Sequence, residues 1–466
     1  MTQCNTKTRV DFHPQSPIDI EFSADDISSD GGAVLLRQVE DDIGICEMIA
    51  GLIPDARDPD KIVHSRREQI FQRVFQIALG YEDQNDANWL RDDPVLKAVC
   101  DVDVDDGQLS SQPTLSRLEN TVDDKPLARM QMMLVLSWIR SLDEDRRQIT
   151  IDIDSSGFEG HGDQEQLAFC GFFGGHKLHP LLMFDGETGQ LITVIARGGS
   201  AGDAAEITDW IGPLITALNI HHRRDCSVVV RADSGFATPR LYQLLDELDE
   251  VWGQVGYLIG FKQNSVVNSR LESSMNVARQ KSARSGDKAR VFTDFEYAAG
   301  SWERSRTIIG KAEVTTQGDN PRFVVTNFDD ICPRLAYEVG YCGRGRCEQW
   351  IGEYKGGLCG DRISCTGFEA NGFRMILHAV AYRLMFALRA HLAEQARRLE
   401  QTCSTDRGQS LTDKCRRLAR VTFTTLRLRL LKVAFVVRRS VRRIFLQGAR
   451  SFPMADVFHH VARAMN

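Results

Sequence analysis

Two aspartates, Asp154 and Asp233, stand where a pair of carboxylates could bind metal ions. Asp154 follows QITIDI, which alternates isoleucine with polar residues as a half-buried strand does, and Asp233 follows the valine-rich run SVVVRA. Because strand ends of an α/β sheet meet over a pocket, we expect the two carboxylates to lie close together. They would then repel unless a cation lay between them, and hard oxygen ligands suit Mg²⁺, with Mn²⁺ as a substitute.

Asp152 is the alternative to Asp154, since strand alternation places both side chains on one face. The position of Asp154 nearer the strand end, before Ser-Ser-Gly, favours it as the ligand. Asp154 and Asp233 could each instead cap the loop that follows its strand, which is the ordinary structural role of a strand-end Asp.

A third carboxylate comes from the segment YCGRGRCEQWIGEYK, residues 341–355. At about 100° per residue of α-helix, a tyrosine and three charged residues fall within about 60° of arc, namely Tyr341, Arg344, Glu348 and Lys355. Glu348 could complete a two-metal site for a phosphodiester, while the other three bind phosphates beside the scissile bond. The alternative is a solvent-exposed helix with an Arg–Glu pair, which leaves Tyr341 and Lys355 unexplained.

Three glycines in this segment, Gly343, Gly345 and Gly352, weaken a helix by about 1 kcal/mol each. A helix selected for stability alone would not contain them. We therefore interpret them as positions where a DNA backbone approaches the helix closely.

The elements around these residues predict an α/β fold. The periodicity predicts a ribonuclease H-like mixed-sheet catalytic core with a β-strand insertion, flanked by helical N-terminal and C-terminal regions. The predicted boundaries are 1–20 for a flexible lead, 21–145 for a helical domain that binds DNA ends, 146–263 and 321–392 for the core, 264–320 for the β-rich insertion, and 393–466 for a basic helical region.

Charge is distributed unevenly along the chain. The net charge is −7, yet from Arg383 to the end 18 Lys and Arg stand against 5 Asp and Glu, whereas residues 1–140 hold 14 basic and 26 acidic residues. This asymmetry indicates a basic tail that meets a polyanion, a solvated basic helix being the alternative. No apolar run approaches the roughly 18 residues of a membrane helix, and no apolar leader begins the chain, which predicts a cytoplasmic protein without membrane contact.

Taken together, these features resemble bacterial insertion-sequence transposases. The spacing Tyr-x2-Arg-x3-Glu-x6-Lys of residues 341–355 is the signature of the IS4-like group in the DDE superfamily. The chain is similar to the IS1380 family in particular over roughly residues 20–390, on the stretches SSDGGAVLLRQ, QRVFQIALGYEDQNDANWLRDDP, SQPTLSRLEN, ITIDIDSSGFEGHG, RADSGF, RFVVTNF and GFEANGFRMILHAVAYRL.

The resemblance implies a transposase that binds terminal inverted repeats, cleaves the DNA ends and joins them to target DNA by two-metal-ion phosphoryl transfer. Carried over, the catalytic and metal-binding residues are Asp154, Asp233 and Glu348, with Mg²⁺ as the cofactor. Ser156 stands where the family's first motif usually has threonine. The implied partners are double-stranded DNA, as repeats and target, and a second copy of the chain in a homodimer. The implied location is the bacterial cytoplasm, in association with the nucleoid.

The DNA-binding residues in this interpretation are Tyr341, Arg344, Lys355, Arg117 and Trp302. Arg117 lies in SSQPTLSRLENTV, which suits the reading helix of a helix-turn-helix but is equally typical of any helical bundle. Trp302 is the candidate for stacking on a flipped base, with packing on a strand as its alternative.

Two other functions stay open from sequence. One is a ribonuclease H-like nuclease or resolvase that cuts without strand transfer. The other is a catalytically silent DNA-binding repressor, against which the complete acidic triad argues.

Overall fold

The computed structural model describes residues 7–12, 14–23, 26–171, 174–402 and 405–466, which form two compact units. The first, the terminal unit, contains the described residues of Met1–Asp42, Val63–Leu115 and Ala387–Asn466. The second, the sheet unit, contains Ile43–Ile62 and Ser116–Phe386.

A mixed β-sheet lies at the centre of the sheet unit, which confirms the predicted α/β class. Its main strands are β1 (Gln148–Ser155), β2 (Leu181–Asp185), β3 (Leu191–Ile195), β4 (Ser227–Ala232), β5 (Val255–Phe261), β6 (Ala289–Tyr297), β7 (Arg306–Thr315) and β8 (Arg322–Thr326). Their spatial order is β6-β7-β8-β5-β4-β1-β2-β3, and the short strand Gly318–Asp319 pairs with β7.

Strands β1, β4 and β5 run parallel to one another. On one side of them, β2 is antiparallel to β1 and β3 is antiparallel to β2. On the other side, β8 is antiparallel to β5, β7 to β8 and β6 to β7. In the β1–β4 pair, Ile153 lies opposite Ala232. The residues that follow in the two strands, Asp154 and Asp233, therefore lie at the same level, Asp154 still within β1 opposite Leu182 of β2 and Asp233 directly after β4.

Apolar side chains explain why these segments form a buried sheet. Ile149, Ile151 and Ile153 of β1 are fully buried, as are most apolar side chains of the neighbouring strands. Before residue 333, the helices of this unit are Ile45–Gly51, Asp124–Arg140, Ile207–His221, Pro239–Trp252 and Ser265–Ser285, with 3₁₀ turns at Pro59–Lys61 and Ser234–Phe236. Two further helices, Gln112–Glu119 and Phe368–Thr402, contain residues of both units.

A second, three-stranded sheet follows β1 along the chain. Its strands Phe158–Glu159, Gly175–Leu178 and Ala168–Cys170 pair antiparallel in that spatial order. Lys177 of the middle strand lies opposite Glu159 on one side and Ala168 on the other.

The predicted helical domain 21–145 is divided between the two units. Its helix Asp124–Arg140 belongs to the sheet unit, where Trp138 is fully buried and the Gln131 side-chain amide donates to the Val194 carbonyl of β3. Helical periodicity shows which face of a helix is buried, but it does not show which core that face joins.

The region 264–320, predicted as a β-rich insertion, begins with the helix Ser265–Ser285. The Asn264 side chain caps this helix by accepting from two backbone N–H groups, and Gly286 ends it with a φ of 75°. The strands that follow, β6 and β7, extend the main sheet. In the sequence, the strand pattern of residues 289–315 is clearer than the apolar spacing of the helix before it, which is why the whole region is predicted as β-rich.

The terminal unit is mainly helical. Its helices are Ala33–Ile43, Arg66–Leu79, Asp86–Leu90, Pro94–Val99, Asp406–Leu418, Phe423–Leu426 and Ala455–Ala464. The helix Phe423–Leu426 continues as a π-helical turn over Arg427–Leu431. No helix among the described residues of the whole chain combines the length and apolarity needed to cross a bilayer.

Two predictions differ from this unit's structure. Within the predicted flexible lead, Thr8–Val10 and Ile18–Ile20 form an antiparallel pair, supported by an Arg9–Asp19 ion pair. Within the predicted basic helical region, Phe435–Ser440 and Arg443–Gly448 form a β-hairpin that pairs with Ile27–Ser28. The arginines suggested a solvated helix, whereas β-branched and aromatic residues between them favour strands.

Candidate active site

The two strand-end aspartates lie side by side, as the parallel register of β1 and β4 requires. Asp154 is mostly buried, with 15% of its side chain exposed, and its Oδ1 accepts from the Ser155 N–H at 2.9 Å. Asp233 begins the 3₁₀ turn Ser234–Phe236, and its Oδ1 accepts from the Gly235 N–H at 2.8 Å. Among the described bonds, each carboxylate accepts from the backbone of its own loop through one oxygen.

Asp152 is held in a different way. It is fully buried, and both of its oxygens accept from Arg231 of β4, at 2.6 Å from Nε and 2.8 Å from Nη2. Asp152 and Arg231 also pair in the strand register. Both oxygens of Asp152 are thus engaged in a buried salt bridge, whereas Asp154 is partly exposed at the strand end, so the geometry favours Asp154 as the available carboxylate.

The segment that carries the tyrosine and three charges is helical but irregular. Its consecutive turns are α at Pro333–Leu335, π at Ala336–Tyr341, 3₁₀ at Cys342–Arg346, α at Cys347–Gly352 and π at Glu353–Gly357. Tight 3₁₀ turns and wide π turns depart from α geometry in opposite directions. We call residues 333–357 the motif helix.

Arg344 of the motif helix lies between two of the predicted carboxylates. Its Nη1 is 3.0 Å from Asp154 Oδ2, and its Nη2 is 4.0 Å from Glu348 Oε1. The side chain of Glu348 is 73% exposed, so it can change rotamer without displacing packed atoms. The guanidinium thus holds a positive charge where the acidic residues converge.

Lys355 contacts the loop that follows Asp154, and the Tyr341 hydroxyl lies near the turn that follows Asp233. Lys355 Nζ donates to the Gly157 carbonyl at 3.0 Å and to Ser156 Oγ at 3.3 Å. A Cβ placed on Gly260 would lie 2.5 Å from the Tyr341 hydroxyl and 2.9 Å from the Ser234 nitrogen. The structure therefore brings the motif helix, through Tyr341, Arg344 and Lys355, against the ends of β1 and β4.

Arg231 connects this helix to the sheet. Its Nη1 donates to the Gly340 carbonyl at 2.8 Å, one residue before Tyr341. A Cβ on Gly343 would overlap the same guanidinium, so this glycine is required by the approach of Arg231. The contact with Arg231 accounts for Gly343 without DNA, whereas a Cβ on Gly345 or Gly352 would meet no described atom within 4 Å. Close approach of DNA to this helix stays a prediction.

Burial and neighbouring charges disturb the ionisation of Asp154. Burial is the largest cause and raises the pKa of its carboxyl to about 6, with further increases from Asp233 and Glu348 that the positive charge of Arg344 opposes. Burial also raises the pKa of Tyr341, so its hydroxyl stays protonated and able to donate a hydrogen bond.

The residues present fit a divalent cation by their chemistry. Asp154, Asp233 and Glu348 supply carboxylate oxygens, which hard cations prefer, and their mutual repulsion is what a cation would relieve. Within the part of the chain that the structure describes, no three acidic, His or Cys side chains already form a cluster close enough to hold a metal ion. Binding by all three therefore requires Glu348 to turn inward and Arg344 to release Asp154.

Asp203 is a further acidic residue beside the site that sequence reasoning missed. Its Oδ1 accepts from Ser155 Oγ at 2.7 Å and lies 3.5 Å from His179 Nε2. A Cβ on Gly235 would overlap its carboxylate. Asp203 therefore contacts residues next to both strand-end aspartates. The glycine-rich stretch GGSAGD was the available signal, since it permits such a close approach.

Trp302 and Arg117 lie in other surroundings. The Trp302 ring packs edge-on against three aromatic rings at 5.3–5.6 Å, those of Tyr242, Phe261 and Tyr297. This packing accounts for Trp302 as a partly buried core residue, and its stacking on DNA stays a prediction. Arg117 is exposed on the helix Gln112–Glu119, and its contact with DNA also stays a prediction.

Comparison with known proteins relates this chain to a protein family and to solved structures. The family model described as "Transposase DDE domain group 1" matches residues 12–407. The solved structure "Cryo-EM structure of piggyBac transposase synaptic complex with hairpin DNA (SNHP)" is similar to this chain with 12% sequence identity and a TM-score of 0.43, over 85% of this chain and 81% of that one. No curated protein matches. The family match spans Asp154, Asp233 and Glu348 together.

Proposed function

The chain belongs to the transposase family with a DDE domain of group 1, and on this premise we propose that it cuts and joins DNA at the ends of an insertion sequence. It binds the terminal inverted repeats, cleaves the DNA ends and transfers them to target DNA. The observation that carries this proposal is the shared level of Asp154 and Asp233 at the ends of two parallel strands, with Glu348 presented by the motif helix and connected to Asp154 through Arg344.

The sheet supports a ribonuclease H-like assignment within this proposal. Three antiparallel strands, β3-β2-β1, are followed by the parallel strands β4 and β5, with helices Ile207–His221 and Pro239–Trp252 on the connections. The motif spacing further favours the IS4-like group and the IS1380 family.

Asp154, Asp233 and Glu348 would hold the divalent cations, Mg²⁺ or Mn²⁺. When bound, these ions activate the attacking oxygen and stabilise the leaving oxygen of the phosphodiester. The chain itself supplies no nucleophile in this scheme, so no covalent protein–DNA intermediate forms.

The remaining residues of the motif helix orient the DNA. The planar guanidinium of Arg344 can bind a phosphate through two parallel hydrogen bonds once it leaves Asp154. Lys355 fixes the loop after Asp154 through Ser156 and Gly157, and it adds positive charge there. The protonated hydroxyl of Tyr341 donates to a third phosphate oxygen. Two copies of the chain act on the two ends, as a homodimer associated with the bacterial nucleoid.

The test is a joining assay with purified protein. A donor DNA that carries the inverted repeats flanking the reading frame is incubated with a target plasmid and Mg²⁺. We expect joined products, and we expect Glu348→Gln to abolish cleavage while DNA binding persists. Glu250→Gln, which changes an exposed glutamate of another helix, is the matched control and should cleave normally.

The outcomes separate the competing functions. Cleavage without joined product would identify a nuclease or resolvase instead of a transposase. DNA binding without cleavage by the wild type would identify a repressor. Unchanged cleavage by Glu348→Gln would refute the assignment of the site.

A further inference from the structure

The β-hairpin of the terminal unit has an unusual distribution of charge. We call residues 435–448 the arginine hairpin. Its two six-residue strands are each about 20 Å long and are joined by the two residues Val441 and Arg442. Between residues 414 and 450 the chain has 12 Lys and Arg and no Asp or Glu, in a protein whose net charge is −7.

One face of the arginine hairpin is anchored to its own unit. Val437 is buried on this face, and the Phe435 ring lies 5.6 Å from the ring of Phe458. Arg439 of the same face forms ion pairs with Asp103 at 3.0 Å and Asp105 at 2.7 Å. These contacts fix the hairpin and explain Arg439 as a structural residue.

The opposite face points to solvent. Side chains alternate along each strand, which places Arg438, Arg443 and Phe445 together on this outer face. All three are exposed, and Arg438 lies opposite Phe445 in the strand register. At the tip, Arg442 is exposed and Val441 is 102% exposed. The outer face therefore combines arginines with uncovered apolar side chains.

Folding alone does not explain the sequence of the tip. Two-residue hairpin loops favour Asn-Gly or Gly-containing pairs because their backbone needs a positive φ. The loop Val-Arg contains neither, and the described non-glycine residues with positive φ do not include Val441 or Arg442. A fully exposed valine and adjacent arginines add nothing to the core, and they leave the tip accessible to a partner.

We propose that the arginine hairpin is an arm that binds duplex DNA with its outer face and tip. A two-stranded ribbon with strands about 4.8 Å apart fits the major groove, which is about 12 Å wide. Exposed arginines at its edge and tip then reach phosphates on both sides. A second copy of the chain is a poor occupant, since two identical arginine faces repel. The inference rests on the proposed function for its partner, but it uses none of the site carboxylates.

The test measures DNA binding without catalysis, in EDTA. The probe is a fluorescein-labelled 30-bp duplex of random sequence, and the variant is Arg442→Gln/Arg443→Gln. Each lost phosphate contact reduces the slope of log K against log[salt] by about 0.9, so two contacts reduce it by about 1.8. If the wild type and the variant bind the duplex equally at 1 M salt, the variant binds about 60-fold more weakly than the wild type at 0.1 M salt. The matched control, Arg397→Gln/Arg398→Gln, removes the same charge from the exposed helix pair beside Glu394 and should bind within about twofold of the wild type.

The outcomes distinguish this inference from the proposed function. If the wild type binds and joins DNA while the hairpin variant keeps its affinity and salt slope, the inference is wrong and the proposed function stands. If the wild type neither binds nor joins DNA, the proposed function fails. Circular dichroism melting checks folding of the variant. As a second measurement, p-benzoylphenylalanine at position 441 should photo-crosslink to the duplex, and a crosslink to a second protein copy instead would overturn the inference.

Discussion

Replacing Arg231 by methionine tests how the sheet supports the motif helix. The variant leaves Asp152 charged, fully buried and without its two hydrogen bonds from the guanidinium. Removing one partner of a buried ion pair costs about 3–5 kcal/mol in the free energy of unfolding. The variant also loses the bond to the Gly340 carbonyl. A hydrogen bond from a charged group contributes about 1.5–3 kcal/mol. If loss of this support for the motif helix raises the activation barrier by the lower figure, the folded fraction cleaves at least about tenfold more slowly.

The assay is urea unfolding followed by tryptophan fluorescence. Trp89 lies in the terminal unit. The other five of the six tryptophans lie in the sheet unit, namely Trp138, Trp210, Trp252, Trp302 and Trp350. The signal therefore reports mainly on the unit that contains Arg231. Arg147→Met is the matched control, because that side chain is 72% exposed at the start of the same sheet, and it should change stability by less than about 0.5 kcal/mol.

The double variant Asp152→Asn/Arg231→Met isolates the cause. It removes the unpaired charge, so it should be more stable than Arg231→Met alone. The reasoning is refuted if Arg231→Met lies within about 1 kcal/mol of the wild type, or if the double variant is no more stable than the single one.

Three further predictions concern single residues of the sheet unit. The folded-state pKa of Asp154 is about 6, above its ordinary value of 3.8. The free energy of unfolding therefore falls as the pH rises from about 4 to about 6, and the whole loss persists above pH 6. Asp154→Asn should therefore raise the free energy of unfolding at pH 7 in EDTA by up to about 3 kcal/mol while abolishing cleavage, and a less stable variant would contradict the assigned cause. Asp203→Asn should slow cleavage about tenfold with unchanged DNA affinity, since the charge that accepts from Ser155 is lost; the exposed Asp209→Asn is its control, and equal rates for both would show that Asp203 has no role. Trp302→Ala should destabilise the sheet unit by about 3–5 kcal/mol in urea unfolding, whereas a variant as stable as the wild type would favour the DNA-stacking role over packing.

The sequence predicted the parts of the site that local patterns encode. Strand alternation located Asp154 and Asp233 at strand ends, and helical spacing placed Tyr341, Arg344 and Lys355 on one side of their helix. The observed contacts of these side chains with the strand-end loops agree with that geometry, while their roles with DNA stay predictions. These features depend on residues fewer than fifteen positions apart.

What the sequence did not predict depends on pairings between distant residues. Asp152 and Asp154 share one strand face, and only the position of Arg231 on the neighbouring strand shows which carboxylate is held in a buried salt bridge within the sheet. Asp203 reaches the site through a loop whose path no periodicity describes. The arginine hairpin was interpreted as helix because charge describes exposure and not backbone geometry.

The register of β1 against β4 limits how this chain can change in length. Seventy-nine positions separate Asp154 from Asp233, and insertions in the loops between them leave the pairing of Ile153 with Ala232 intact. A single residue inserted within either strand has a different effect, because it turns every later side chain of that strand to the opposite face. One aspartate would then point away from the other. Insertion scanning should therefore find sharply bounded intolerance within β1 and within β4, as in the other buried strands, and tolerance in exposed loop stretches that do not contact the site.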